Sequence, residues 1–377
     1  MSKSDPESRG TGRIRRAIGL MSGTSLDGID IALIETDGAA HVRALGGASV
    51  AYPEAFQTRL RQALRDAVGI VNRGDRPGCL ADVERELTER QADALLRFMG
   101  DKSLQPSAVD VIGFHGQTVL HRPEIGLTVQ LGDGPLLART VGVDVVYDLR
   151  AADCTAGGQG APLVPVYHRA LAAKVRERPV AFVNIGGVAN VTWIGRDGSL
   201  LAFDTGPGNA LLDDWMLQHT GVARDEGGQL AATGTIHELS LAAYLAWPFF
   251  AVPPPKSLDR NAFPTDIVAG LSPADGAATL TAFTAESIAL ARAHFPEPPE
   301  LWIVCGGGRR NGTLMAWIAQ RTGAAVVPAE ALGFDGDNME AEAWAYLAVR
   351  SLERLPLTFP GTTGVAAALT GGVLTTA

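Results

Sequence analysis

The chain has 377 residues, with 32 Lys plus Arg against 41 Asp plus Glu, and so a net charge of −9. Hydrophobic residues make up 46% and charged residues 19%, the balance of a globular chain of about two domains. The acidic excess argues against a nucleic-acid partner, which needs a basic field, and Cys79, Cys154 and Cys305 form no CxxC pair, which excludes a disulfide scaffold or thiolate zinc cluster and fits a reducing, cytoplasmic compartment.

Residues 1–16 read as a flexible leader, with Arg13, Arg15 and Arg16 as solvated charges. They hold no apolar stretch of a signal peptide, and no run of about 18 apolar residues follows, so no membrane span is expected. From Ala17 the pattern is strand (AIGLM), glycine-containing turn (SGTSLDG), strand (IDIALIET) and a third strand within 41–53. Helical spacing of apolar residues predicts helices over 54–68 and 80–99. VDVIGFHGQT reads as a buried strand running into a loop, LTVQLGDGPLLARTVG as strand, turn and helix, and VDVVYDL as a strand. After a loop over 150–163 the order repeats. PVAFVNIGGVANVTWIG is strand, turn, strand, and LLAFD is a third strand. Helices follow over 210–218 and 280–294, then the strand ELWIVCGGG, a helix from Thr313 and a last helix over 339–352. The Pro-rich stretch 246–264 reads as a surface loop or lid. The two halves thus predict a duplicated α/β unit with a cleft between lobes. The first lobe covers 17–150, completed by 339–377, and the second covers 151–338.

Glycine is the abnormal count, at 44, and it clusters in turns between strands and helices. Ser22-Gly23-Thr24-Ser25-Leu26-Asp27-Gly28 can turn amides and hydroxyls toward phosphate oxygens, with Asp27 as a Mg²⁺ ligand, or it is an ordinary hairpin turn. Asp204-Thr205-Gly206-Pro207-Gly208-Asn209 follows a strand and opens a helix, which suits a base beside an anion site. Gly306-Gly307-Gly308 lacks every Cβ and can lie against a flat ring, or it is a generic strand-to-helix loop. Gly186-Gly187 follows the same logic. His115, Gln117, Arg150 and Asp153 mark a second polar surface, with Arg150 able to grip a carboxylate or standing in a structural ion pair. There is no GxxxxGK[ST], no GxGxxG after a strand, no HExxH and no GxSxG. Glycine turns with carboxylates in two similar halves suit phosphoryl transfer, where positioning and electrostatics carry most of the catalysis.

The stretches GLMSGTSLDGIDIALIETDG, GFHGQTVLHRP, TVQLGDGPLLA, DLRAADCTAGGQGAPLVPVYH, VNIGGVANVT, FDTGPGNALLD, PPKSLDR, CGGGRRNGTLM and GFDGDNMEAEAWAYLA, in this order, resemble the anhydro-N-acetylmuramic acid kinases. The resemblance implies the two-lobed, actin-like fold of the sugar kinases and heat-shock ATPases, a duplicated ribonuclease H-like α/β unit. It implies ATP and Mg²⁺ as cofactors, a homodimer, and conversion of 1,6-anhydro-N-acetylmuramic acid to N-acetylmuramic acid 6-phosphate in peptidoglycan recycling. An ordinary amino-sugar kinase and a nucleotide-gated ATPase of the same fold are the alternatives. By resemblance Asp204 is the catalytic base and Glu340 an acid near it. Ser22 to Gly28 is the first phosphate loop, and Asp204 to Asn209, with Gly206, Gly208 and Asn209, is the second. Gly306, Gly307 and Gly308 face the adenosine, and Ile29, Gly187 and Asn311 are further cofactor-binding residues. His115, Gln117, Arg150 and Asp153 are the candidates to hold the sugar. One stretch departs: the family pattern is close to PPKSTGRE, whereas here Lys256-Ser257-Leu258-Asp259-Arg260-Asn261 loses the Gly and the Glu.

Overall fold

The computed structural model describes residues 12–23, 25–260 and 262–377. The chain forms two compact units, one of residues up to Ala173 with Asn338–Ala377, the other of Lys174–Asp337. The first opens with the meander β1 (Arg15–Met21), β2 (Gly28–Thr36) and β3 (Val42–Ala51). Helices α1 (Glu54–Asp66) and α2 (Leu80–Asp101) follow. Phe56, Leu60 and Ala63 on α1, and Leu80, Val83, Leu87 and Leu95 on α2, recur at helical spacing and are buried. Then come β4 (Val111–Phe114), β5 (Gln117–Arg122), β6 (Leu127–Leu131), α3 (Gly134–Val141), β7 (Val145–Tyr147), α4 (Ala151–Thr155) and α5 (Pro165–Ala172).

The second unit repeats the plan. A meander of β8 (Val180–Ile185), β9 (Val188–Ile194) and β10 (Leu200–Pro207) leads to α6 (Ala210–Thr220), α7 (Glu238–Leu245) and α8 (Pro273–Leu290). β11 (Leu301–Cys305), α9 (Gly312–Thr322) and β12 (Ala325–Pro328) complete it. The chain returns to the first unit with α10 (Met339–Leu352), α11 (Pro360–Thr363) and β13 (Val373–Thr375). Strand order is β13-β7-β4-β1-β2-β3 in one unit and β10-β9-β8-β11-β12 in the other. In both, the second strand is antiparallel to the first and third, and the next two strands of the sheet (β4 and β7, β11 and β12) run parallel to the first. This shared order is the duplicated ribonuclease H-like unit of the actin-like fold.

Several elements differ from expectation for local reasons. β1 starts at Arg15 because its arginines are paired: Arg15 with Glu353 at 2.7 Å and Arg16 with Glu35 at 3.1 Å, while Arg13 just before it meets Asp110 at 2.9 Å. The chain after His115 is no loop, since β5 and β6 form a hairpin and only Gly116, at φ +69°, turns it. Five residues of the expected 150–163 loop form α4, and the break between units falls after Ala173 because α5 stays with the first unit, its Tyr167 hydroxyl donating to Glu342 on α10 at 2.5 Å. α8 begins at Pro273, two turns before the expected start, its first turn capped by Ser272. Those turns look unhelical because they hold Gly276, but a Cβ there would strike the Trp215 ring. No helix among the described residues is long and apolar enough to cross a membrane.

Candidate active site

The β1–β2 turn is held from below by a buried chain of hydrogen bonds. Ser22 Oγ donates to Gln117 Oε1 at 2.7 Å and accepts from the Tyr52 hydroxyl at 3.1 Å, which accepts from Gln91 Nε2 at 3.0 Å. Burial pushes the Tyr52 phenol up to about 12, so it stays a donor. Leu26 takes the left-handed conformation (φ +59°) and sinks into the core, pinning the turn, while Ser25 and Asp27 stay exposed. Ser25 Oγ donates to Asp27 Oδ1 at 2.6 Å. At Gly28 a Cβ would lie 2.5 Å from Val50 O, so β3 excludes any side chain there. Ile29, expected at the cofactor, is a core residue at 2% exposure. Thr24 lies outside the described residues. Gln117, expected at the sugar, instead supports the turn with both ends of its amide, since Nε2 also donates to Gly23 O at 3.1 Å.

Beside the turn, His115 Nε2 accepts from Arg150 Nε at 3.2 Å. Nδ1 therefore carries the proton and donates to Ser22 O at 3.0 Å. Burial, then the Arg150 charge, pushes His115 down to about 3, so it is neutral. Burial also lowers Arg150 to about 10, against the pull of Glu340, so the guanidinium stays charged. It lies 5.1 Å over the Trp344 ring and donates from Nη1 to Gly160 O at 2.8 Å, leaving Nη2 without a partner among the described residues. Glu340, half-buried in the first turn of α10, faces this cation. Asp153, expected at the sugar, bonds to the protein through both carboxylate oxygens. They accept from Gly160 N and Thr363 Oγ1, each at 2.6 Å, and fix the GGQG turn.

A neutral buried histidine has a pH consequence. The unfolded chain takes up a proton below about pH 6.5 that folded His115 refuses until about 3. Its contribution to stability is therefore present above about pH 6.5 and is lost as pH falls toward 3. His115→Gln should flatten the fall of unfolding free energy between about pH 7 and 5 in denaturant titrations. A slope equal to that of the unaltered protein would refute this placement of His115.

In the second unit Asp204 sits on β10 next to a bulge. Asp204 pairs with Asn190 and Gly206 with Ala189, so Thr205 is the extra residue, its hydroxyl bonded to Ala189 O at 3.2 Å. The Asp204 carboxylate accepts from Leu258 N–H at Oδ2 (2.7 Å), and Oδ1 has no partner among the described residues. Burial pushes its pKa up to about 7, and the Leu258 amide lowers it only in part. The departing stretch at Lys256–Asp259 thus touches Asp204 with backbone atoms alone, so altered side chains leave the contact possible. Asn261 lies outside the described residues.

Three glycine turns converge at the carboxyl ends of β8 and β11, the ligand-binding end of parallel strands. Asn209 N–H donates to Gly186 O at 2.7 Å and its Nδ2 to Ile185 O at 3.1 Å. Gly306 adopts φ +73°, and a Cβ there would lie 2.7 Å from Ile185 O. By contrast, a Cβ on Gly187 or Gly307 would meet one atom only, at 3.7 and 3.6 Å, so these backbones border open space. Gly206 and Gly208 pack against Ser287 and Gly186 respectively, and Gly308 against Ile185. Asn311, expected at the cofactor, caps α9: its Oδ1 accepts from Leu314 N–H at 2.9 Å. An Asn three residues before an apolar run was its sequence signal. Trp344 and Tyr52 escaped sequence reasoning, as did the bond from Leu258 to Asp204, because each acts through partners far along the chain.

No group of three His, Cys, Asp or Glu among the described residues forms a metal cluster. A Mg²⁺ that keeps its waters and arrives with a triphosphate needs one or two carboxylates, and exposed Asp27 fits that demand.

The family profile described as anhydro-N-acetylmuramic acid kinase matches residues 15–377. The chain is 54% identical over 361 residues to the anhydro-N-acetylmuramic acid kinase of Bradyrhizobium diazoefficiens, covering 95% of this chain and 98% of that one. It is 55% identical to that of Rhizorhabdus wittichii with the same coverage. Among solved structures, component A of (R)-2-hydroxyglutaryl-CoA dehydratase from Acidaminococcus fermentans is similar at 13% identity and a TM-score of 0.48, covering 89% of this chain and 98% of that chain. A match across nearly every residue from β1 to β13, at more than half identity, places the chain in the anhydro-N-acetylmuramic acid kinase family.

Proposed function

We propose that this chain uses ATP and water to convert 1,6-anhydro-N-acetylmuramic acid to N-acetylmuramic acid 6-phosphate, in peptidoglycan recycling. The observation that carries the reading is Asp204, a half-buried carboxylate with one oxygen anchored and the other unengaged, poised near neutrality. In the anhydro sugar O6 is an ether oxygen and offers no proton to a base. Asp204 therefore takes its proton from a water, which attacks C1. The C1–O6 bond breaks, O6 takes the γ-phosphoryl group, and ADP leaves. Phosphorus captures the leaving oxygen, so no general acid is required.

In the second unit the glycine turns at Gly187 and Gly206–Asn209 take phosphates and Gly306–Gly308 face the adenosine; in the first unit the β1–β2 turn is a phosphate loop. Arg150, charged and with Nη2 available, pairs with the lactyl carboxylate, and Glu340 holds a sugar hydroxyl nearby. Asp27 would hold Mg²⁺, which when bound screens the charge of the triphosphate. A homodimer and a cytoplasmic location belong to the same proposal, on the ground of the family alone.

The test is turnover in ¹⁸O-labelled water with ATP, Mg²⁺ and the anhydro sugar. The label is expected at C1 of the sugar phosphate. Label in inorganic phosphate with no sugar product would mean plain ATP hydrolysis. Preference for the reducing sugar would mean an ordinary amino-sugar kinase.

A further inference from the structure

The stretch before and after Lys256 crosses β10 at the base. Asp204 N–H donates to Lys256 O at 3.0 Å, and two residues on Leu258 N–H donates to Asp204 Oδ2 at 2.7 Å. These bonds grip Asp204 through both backbone and carboxylate. The strap alternates like a strand: Lys256 and Leu258 are half-buried, whereas Ser257 and Asp259 are exposed. Leu258 packs on the apolar cluster that contains Tyr244, Phe263 and Phe283. Lys256 turns its ammonium inward. Nζ donates to Phe249 O at 3.1 Å and lies 4.5 Å from the Phe249 ring and 5.8 Å from that of Phe203, the residue before the base. No carboxylate pairs with this lysine among the described residues. A lysine half-removed from water without an ion pair is held there by its carbonyl and aromatic contacts.

We infer that Lys256 is a positioning residue for the base: its ammonium clamps the strap between Phe249 and Phe203, so that the Leu258 amide meets Asp204 Oδ2 and leaves Oδ1 aimed at water. The inference rests on the function proposed above for Asp204. Lys256 acts through the backbone, since its charge is directed at Phe249 O rather than at the carboxylate. The other titratable group packed here, His294, meets Phe203 edge-on at 5.3 Å and is lowered by burial and by Lys256.

The test compares Lys256→Met, which keeps a flexible apolar stem, with Lys256→Arg, which keeps a donor and a cation. In Lys256→Met the strap loosens, the Leu258 amide bond weakens, and the carboxyl titrates higher. Its kcat should fall about tenfold or more with KM for ATP within about twofold, and the acid limb of the pH profile should move up by about half a unit. Lys256→Arg should restore most of both. If Lys256→Met fails to fold, Leu258→Pro, which deletes the amide donor itself, must give the same shift. The Asp204 carboxyl resonance, assigned by its loss in Asp204→Asn, reports the strap without any sugar. It should titrate near pH 7 in the unaltered protein and higher in Lys256→Met. An unshifted resonance overturns the clamp even where the sugar is phosphorylated. A shifted resonance in a protein inert toward the sugar supports the clamp and removes the proposed function instead.

Discussion

Asp204→Asn is expected to lower turnover of the anhydro sugar about 10²- to 10⁴-fold, the range a positioned base supplies, with nucleotide affinity changed less than about twofold. Asn keeps the shape and can still accept from the Leu258 amide, so the strap stays in place. What is lost is the group that takes a proton from water. In the unaltered protein kcat/KM should rise with pH and level off above about 7, because only the ionised carboxylate is a base. The stability effect has the opposite direction. A carboxyl at about 7 in the fold, against an ordinary 3.8, binds its proton more tightly folded than unfolded. Its ionised form therefore destabilises the fold, by an amount that grows from pH 3.8 to about 7 and is constant above. Asp204→Asn should thus unfold at higher denaturant than the unaltered protein at pH 8, with the difference closing at pH 4. Near-normal turnover, measured by product mass, would remove Asp204 from the chemistry.

The turns that border open space were legible because glycine is written into them. Gly187 and Gly307 stand where any side chain would narrow the approach, and strand-turn-strand order located both meanders. The polar residues around them were less legible. Gln117 and Asp153 look alike in sequence, each polar and within a few residues of glycine. Their partners decide their roles, and those partners are remote: Ser22 lies 95 residues from Gln117, and Thr363 lies 210 from Asp153. A polar side chain that finds a distant protein partner is a structural strut, and nothing within its own segment marks the difference. Arg150 escapes that fate only at Nη2. The two short strands β12 and β13 carried too few residues for an alternation to show, and they form only against edges built by other strands.

Gly113→Val and Gly19→Val should each damage the fold severely. α10 lies directly across β1 and β4, and its contact is backbone against backbone. A Cβ on Gly113 would overlap Trp344 O and sit 2.6 Å from Trp344 C; one on Gly19 would overlap Ala341 O and sit 2.6 Å from Ala345 N. No rotamer relieves a clash between two main chains, so the helix must lift from the sheet. The helix face here is already Ala341 and Ala345, the smallest side chains it can carry, and both are fully buried. Overpacking a core costs about 1–3 kcal/mol where side chains can give way; here they cannot, and about 3 kcal/mol or more is expected from a total of about 5–15. α10 also carries Glu340 and Trp344 to Arg150, so activity should fall with stability rather than independently of it. Gly100→Ala is the matched control, on the exposed end of α2 with open space around it, and should stabilise by up to about 1 kcal/mol. Thermal unfolding followed by circular dichroism separates the two. A Gly113→Val protein that melts with the unaltered one would mean that α10 does not rest on β4, and the placement of Glu340 beside Arg150 would fall with it.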